Sequence, residues 1–158
     1  MYDYLLMLHN LFRWLVLFIA IYTLYINFVG WKNAKTYTRR DKVMNSTFVG
    51  MLDLQLIIGL LLYFVFSPTT KLAFSDMRYA MHNPELRFYA VEHIAGMVIA
   101  IIIAHIGGAL SKRSKSDTHK FRKAFIFFGI ALLLILLSLP FTFHGGARPL
   151  NPFDHVGM

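Results

Sequence analysis

The chain has 158 residues, of which 57% are hydrophobic and 15% charged, with a formal net charge of +8 and no cysteine. That balance lies outside the norm for soluble globular domains. The missing cysteines exclude disulfides, thiolate metal sites and covalently attached c-type haem.

The apolar residues cluster in four blocks, Tyr4–Trp31, Phe48–Phe66, Phe88–Leu110 and Phe125–Phe143. Each is about as long as the roughly 20 residues a helix needs to cross a bilayer. The first begins Met1-Tyr2-Asp3-Tyr4, without a basic start or a small-residue cleavage site, so it reads as a permanent helix rather than a secretion signal. Lys32, Lys35, Arg39, Arg40 and Lys42 follow it, and Ile57–Phe66 in the second block is apolar all the way round, unlike a helix of a soluble bundle. Between Ser67-Pro68 and Asn83, the residues Leu72, Phe74, Met77, Tyr79 and Met81 alternate with polar ones, which suggests a short segment, about 71–82, on the bilayer surface or lidding the bundle. Asn83 suits the cap of the third helix, Pro84 its first position and Glu85 the positive end of its dipole. Lys112, Arg113, Lys115, Lys120, Arg122 and Lys123 separate the third and fourth blocks, and Pro140 should kink or end the fourth helix. The tail from His144 to Met158 reads as irregular.

These signals predict an all-α fold, a single membrane domain of four transmembrane helices in an up-down bundle, over about 4–31, 46–66, 84–110 and 121–143. Short loops rich in lysine and arginine stay in the cytoplasm, so the first and third connections face inward and both termini lie on the non-cytoplasmic side. The partner implied is the lipid bilayer. The basic runs adjoin membrane helices with few interleaved aromatics, and nothing points to nucleic acid.

Ionisable groups embedded in hydrocarbon are costly and mark candidate sites. Towards the outer side lie His9, Arg13, Glu92 and His93, and towards the inner side Asn27, Asp53 and His105, with Gln55 deeper. His9, Arg13, Ala20, Thr23 and Asn27 fall near one line on helix one, and His93, Met97, Ala100 and Ala104 on helix three. His9 lies six residues below Asp3 and His93 six below Arg87, so both imidazoles should sit about 9 Å below their helix entrances. Two histidines level with each other above small residues are the arrangement that clamps a haem iron from both faces. Arg13, snorkelling back up, would pair with Glu92 or a haem propionate; Arg87 is a second propionate partner, and His144 a spare ligand. The same residues also fit a purely structural network of hydrogen bonds with a buried Arg13–Glu92 pair. Glu92 and His93 are consecutive and point about 100° apart, which weakens a zinc or non-haem iron site. Asp53 and His105 suit a quinone contact, or a hydrogen bond joining helices two and three, and Gln55 suits helix gluing.

The stretches His9-Asn10-Leu11-Phe12-Arg13-Trp14, Asp53-Leu54-Gln55-Leu56-Ile57-Ile58-Gly59, Arg87-Phe88-Tyr89-Ala90-Val91-Glu92-His93 and Ala104-His105-Ile106-Gly107 resemble a family of small bacterial four-helix membrane proteins labelled cytochrome b or cytochrome b-like. With the Ser67-Pro68 turn and Pro140 the resemblance covers almost the whole chain. It implies haem b in a multi-pass protein of the bacterial inner membrane, with a redox partner or a larger respiratory complex. A second matched histidine pair, as in two-haem four-helix cytochromes, is missing. Three readings follow: an electron carrier or subunit with His9 and His93 as axial ligands, a non-catalytic structural or docking subunit, and a quinone-binding protein. No nucleophile with its base, phosphate-cradling loop or hydrolytic motif points to a stand-alone enzyme.

Overall fold

The computed structural model describes residues 1–140, and His144, Arg148 and His155 lie outside the described residues. All regular secondary structure among the described residues is helical, without a strand. The elements are α1 (Tyr2–Lys32), α2 (Arg39–Leu61) running into a π-helical turn (Leu62–Phe66), the short helices α3 (Pro68–Ser75), α4 (Met77–His82) and α5 (Pro84–Arg87), a second π-helical turn (Phe88–Glu92), α6 (His93–Arg113) and α7 (Asp117–Leu137).

Local chemistry explains the boundaries. Asn83 caps α5 as expected, its Oδ1 accepting from Leu86 N–H at 3.1 Å, with Pro84 at the first position. Ser67, Asp76 and Ser116 cap α3, α4 and α7 in the same way. The second helix begins at Arg39, seven residues before the expected 46, because Thr38 N–H donates to Asp41 Oδ2 at 2.8 Å and closes an N-terminal turn that hydropathy alone does not register. The fourth helix, expected to reach 143, ends at Leu137, short of Pro140. The stretch expected as one segment over 71–82 is two short helices broken at Asp76.

Four long helical bodies neighbour one another in a ring, α1 against α2, α2 against α6, α6 against α7 and α7 against α1. Their core is built on Phe48 and Phe128, whose rings meet edge-on at 5.0 Å, with Ala20, Ala100, Ala104, Ala124 and Ala131 letting the backbones close around them. The small residues Ala100 and Ala104 therefore serve helix packing against phenylalanines and do not border an open space as the sequence suggested.

Among the described residues, three helical runs are long and apolar enough to cross a membrane: Tyr2–Lys32, Arg39–Phe66 and Pro84–Arg113. Only 33%, 22% and 33% of their most apolar windows are buried, so most of that apolar surface faces outward, as contact with lipid requires. α7 falls short of the same length of uncharged chain because Lys120, Arg122 and Lys123 occupy its early turns and it stops at Leu137.

Candidate functional site

At the end of the bundle that holds the N-termini of α1 and α6, the helices diverge around a cavity of about 130 Å³. His9, Asn10 and Arg13 line it from α1, Gln55 and Gly59 from α2, and His93 and Met97 from α6. The π turn over Phe88–Glu92 delivers His93 to this wall: its i→i+5 bond, from His93 N–H to Phe88 carbonyl, inserts one residue and re-aims everything that follows. The π turn at the end of α2 lies at the same level, and the two are tied together by Tyr63 O–H donating to Ala90 carbonyl at 2.6 Å. Thr70 of α3 in turn donates to Tyr63 carbonyl at 2.7 Å.

The His9 and His93 imidazoles meet across the cavity with ring centroids 6.4 Å apart and planes at 76°. Two metal–nitrogen bonds of about 2 Å in line, plus the inner half of each ring, would span about 6 Å, the same scale as this separation. His93 Nδ1–H donates to Ser138 carbonyl at 2.7 Å. A carbonyl can only accept, which places the proton on Nδ1 and leaves the lone pair on Nε2, the outer-shell arrangement that orients metal-binding imidazoles. The ring of His9 lies on the bare face of Gly59, where a β-carbon would come within 3.3 Å of its Cε1. Gln55 Nε2 donates to the backbone carbonyl of His9 at 2.8 Å, fixing the turn that carries the ring, while its Oε1 is buried without a hydrogen-bond partner. The guanidinium of Arg13 is buried on the same wall.

Two of the expected cofactor contacts lie elsewhere. Arg87 Nε donates to Glu92 Oε1 at 2.7 Å, and both side chains are about 40% exposed outside the cavity. Glu92 is therefore held by Arg87 and not by Arg13. The two are five residues apart, about 140° around an α-helix, and the intervening π turn brings them onto one side.

Of the inner set, Asn27 is buried against Asn45, and the Asp53–His105 pair is a surface feature. His105 Nε2–H donates to Asp53 Oδ1 at 2.8 Å, joining α6 to α2, and the side chains are 52% and 43% exposed, away from the cavity. Gln55 belongs to the outer site and not with Asp53. Sequence reasoning did not single out Gly59, Gly96 or Ser138 as parts of the site. Gly96 faces Ser138 so closely that any side chain there would collide with it, so this glycine admits the residue whose carbonyl holds His93. A glycine one turn from a polar residue inside an apolar helix was the available signal for both glycines.

No group of three or more His, Asp or Glu side chains among the described residues is placed to hold a metal ion. Compared with protein-family models, curated proteins and solved structures, the chain matches none.

Proposed function

We propose that the chain is a b-type haem protein of a bacterial inner membrane, an electron carrier or a subunit of a larger redox assembly. In this reading α7 is the fourth span and both termini lie outside, following the lysines and arginines of the first and third connections. The observation that carries the reading is the 6.4 Å separation of the His9 and His93 rings across one cavity. Support comes from Ser138, whose carbonyl holds the His93 proton on Nδ1, and from the resemblance to cytochrome b-like proteins. When bound, the haem supplies reversible one-electron exchange at iron. His9 and His93 would hold it, and Arg13, buried beside them, is the cation that a propionate would meet. Arg87, engaged by Glu92, has no part in this set. The cavity of about 130 Å³ is smaller than the roughly 300–1,000 Å³ of most ligand sites. Met97 and the other flexible lining side chains would have to swing aside to admit a macrocycle.

The test is the absorption spectrum of the protein purified from haem-sufficient cells, oxidised and then reduced with dithionite. A Soret band with sharp reduced α and β bands, lost in His9→Ala and in His93→Ala, is the expected result. A colourless wild-type protein would remove the haem reading and leave a structural or docking subunit.

A second reading rests on the Asp53–His105 pair, half-exposed on the flank of two apolar helices. With Nε2–H donating to Asp53, Nδ1 of His105 is left to accept a hydroxyl hydrogen, as a quinol head group would offer from the lipid phase. Solvent extraction of the purified protein checks this: quinone should co-purify with wild type and fall to background in His105→Ala.

A further inference from the structure

At the opposite end of the bundle from the histidines, a groove of about 920 Å³ opens between the end of α1 and the start of α2. Its mouth carries three exposed cations, Lys35, Arg39 and Arg40. Its deeper wall is apolar or aromatic, with Tyr22, Ile26 and Val29 at i, i+4 and i+7 along one face of α1 and Val43 opposite on α2. We infer that this groove holds an anionic phospholipid, its phosphate among Lys35, Arg39 and Arg40 and its acyl chains along the Tyr22–Ile26–Val29 face.

Three features carry the assignment. First, the cations have no ion-pair partner among the described residues; the salt bridges there join Arg87 to Glu92, His105 to Asp53 and Lys120 to Asp117. Asp41, the carboxylate in the groove, is taken by the backbone N–H and hydroxyl of Thr38 at 2.8 and 2.6 Å. Second, Arg39 and Arg40 occupy the first turn of a 23-residue helix, where the dipole repels cations and favours an anion. A bound phosphate satisfies the dipole and both arginines together. Third, the turn before them is shaped to bring Lys35 to the same mouth. Lys35 N–H donates to Gly30 carbonyl at 3.0 Å and Ala34 N–H to Trp31 carbonyl at 3.4 Å, a Schellman closure with Ala34 at φ 46 where glycine is usual. Polar mouth and apolar wall succeed each other along the helices as headgroup and chains do in a leaflet, and basic pockets between spans at the cytoplasmic side take anionic headgroups.

The chemistry recognised is a phosphate monoanion, and the apolar wall separates a lipid from a free ion. The full chain, delipidated in detergent, is given phosphatidylglycerol or phosphatidylcholine, and the retained lipid is counted by native mass spectrometry. Phosphatidylglycerol should be retained at least tenfold over phosphatidylcholine. The variant Lys35→Gln/Arg39→Gln/Arg40→Gln should lose it, whereas Lys112→Gln/Arg113→Gln/Lys115→Gln, which removes the same charge from the other basic loop, should keep it. Val43→Trp leaves the cations in place and fills the apolar wall, so it reads the site even where the triple variant fails to fold, and it should also lose the lipid. Equal retention of the two lipids, equal loss in both triple variants, undiminished binding in Val43→Trp, or displacement of the lipid by millimolar inorganic phosphate would each overturn the assignment.

Discussion

The two ends of this bundle are built on different principles. The interior of the inner end is filled, and its groove opens outside that interior: Phe48, Phe121 and Phe128 are completely or almost completely buried, and Asn27 and Asn45 satisfy each other between α1 and α2, with Asn27 Nδ2 donating to Asn45 Oδ1 at 2.7 Å. The outer end is held apart by two π turns, and its polar side chains reach for backbone carbonyls, Gln55 for His9, Tyr63 for Ala90 and His93 for Ser138. Close packing supplies stability in the interior between the four helices. Side chains anchored to main chain keep the outer cavity in shape.

Substitutions at the two ends should separate accordingly. The largest effect is expected for Phe128→Ala, which empties the inner core and should cost about 3–5 kcal/mol, seen as an early thermal transition in detergent. Any pigment bound at the outer end should keep its band positions below that transition. Next comes Asn27→Ala, which leaves Asn45 buried without its partner across α1 and α2 and should cost about 1–3 kcal/mol by the same measurement. Gly96→Ala should cost about 1–3 kcal/mol by turning the Ser138 hydroxyl away and crowding its Cβ, which would lie 3.1 Å from the new methyl. Unlike the other two it should alter the outer site, and the imidazole N–H resonance of His93 should move as its bond to Ser138 lengthens. If Gly96→Ala left that resonance in place while Phe128→Ala moved it, the division between the ends would be wrong.

The smallest effect concerns the exposed start of α7. The hydrogen bond from Lys120, and then the backbone N–H of Tyr37, hold the Asp117 carboxyl below its ordinary value. A depressed carboxyl contributes stability that is complete above its unfolded value and is lost as the pH falls through the lowered folded value. Asp117→Asn should therefore lower stability slightly at neutral pH, leave it almost unchanged in strong acid, and so flatten the acid limb of a thermal-stability profile.

Much of the fold was legible in the sequence because hydropathy reports long apolar helices directly, and the Asn83-Pro84-Glu85 start of the third helical run could be read residue by residue. The inward line of Arg13, Ala20, Thr23 and Asn27 on α1 was equally plain from spacing. The π turns were not, since one surplus residue in a helix leaves no mark in composition. That single omission displaced Arg87 and Glu92 from the expected site, because an ideal α-helix puts them on different sides. The level placement of His9 and His93 survived it, since depth along a helix is less sensitive to one inserted residue than direction around it. Ser138 was missed for another reason: its contribution is a main-chain oxygen, which every residue has and no motif announces.

That oxygen has a further consequence. α7 stops at Leu137, three residues before Pro140, so Ser138 offers its carbonyl beyond the last rung of the helical ladder. Had the coil run on, the oxygen would have been claimed from within its own strand of backbone. The point at which one helix ends thus decides which nitrogen of an imidazole on its neighbour carries hydrogen. A proline, usually counted as a breaker, here acts at a distance as a setting for proton placement.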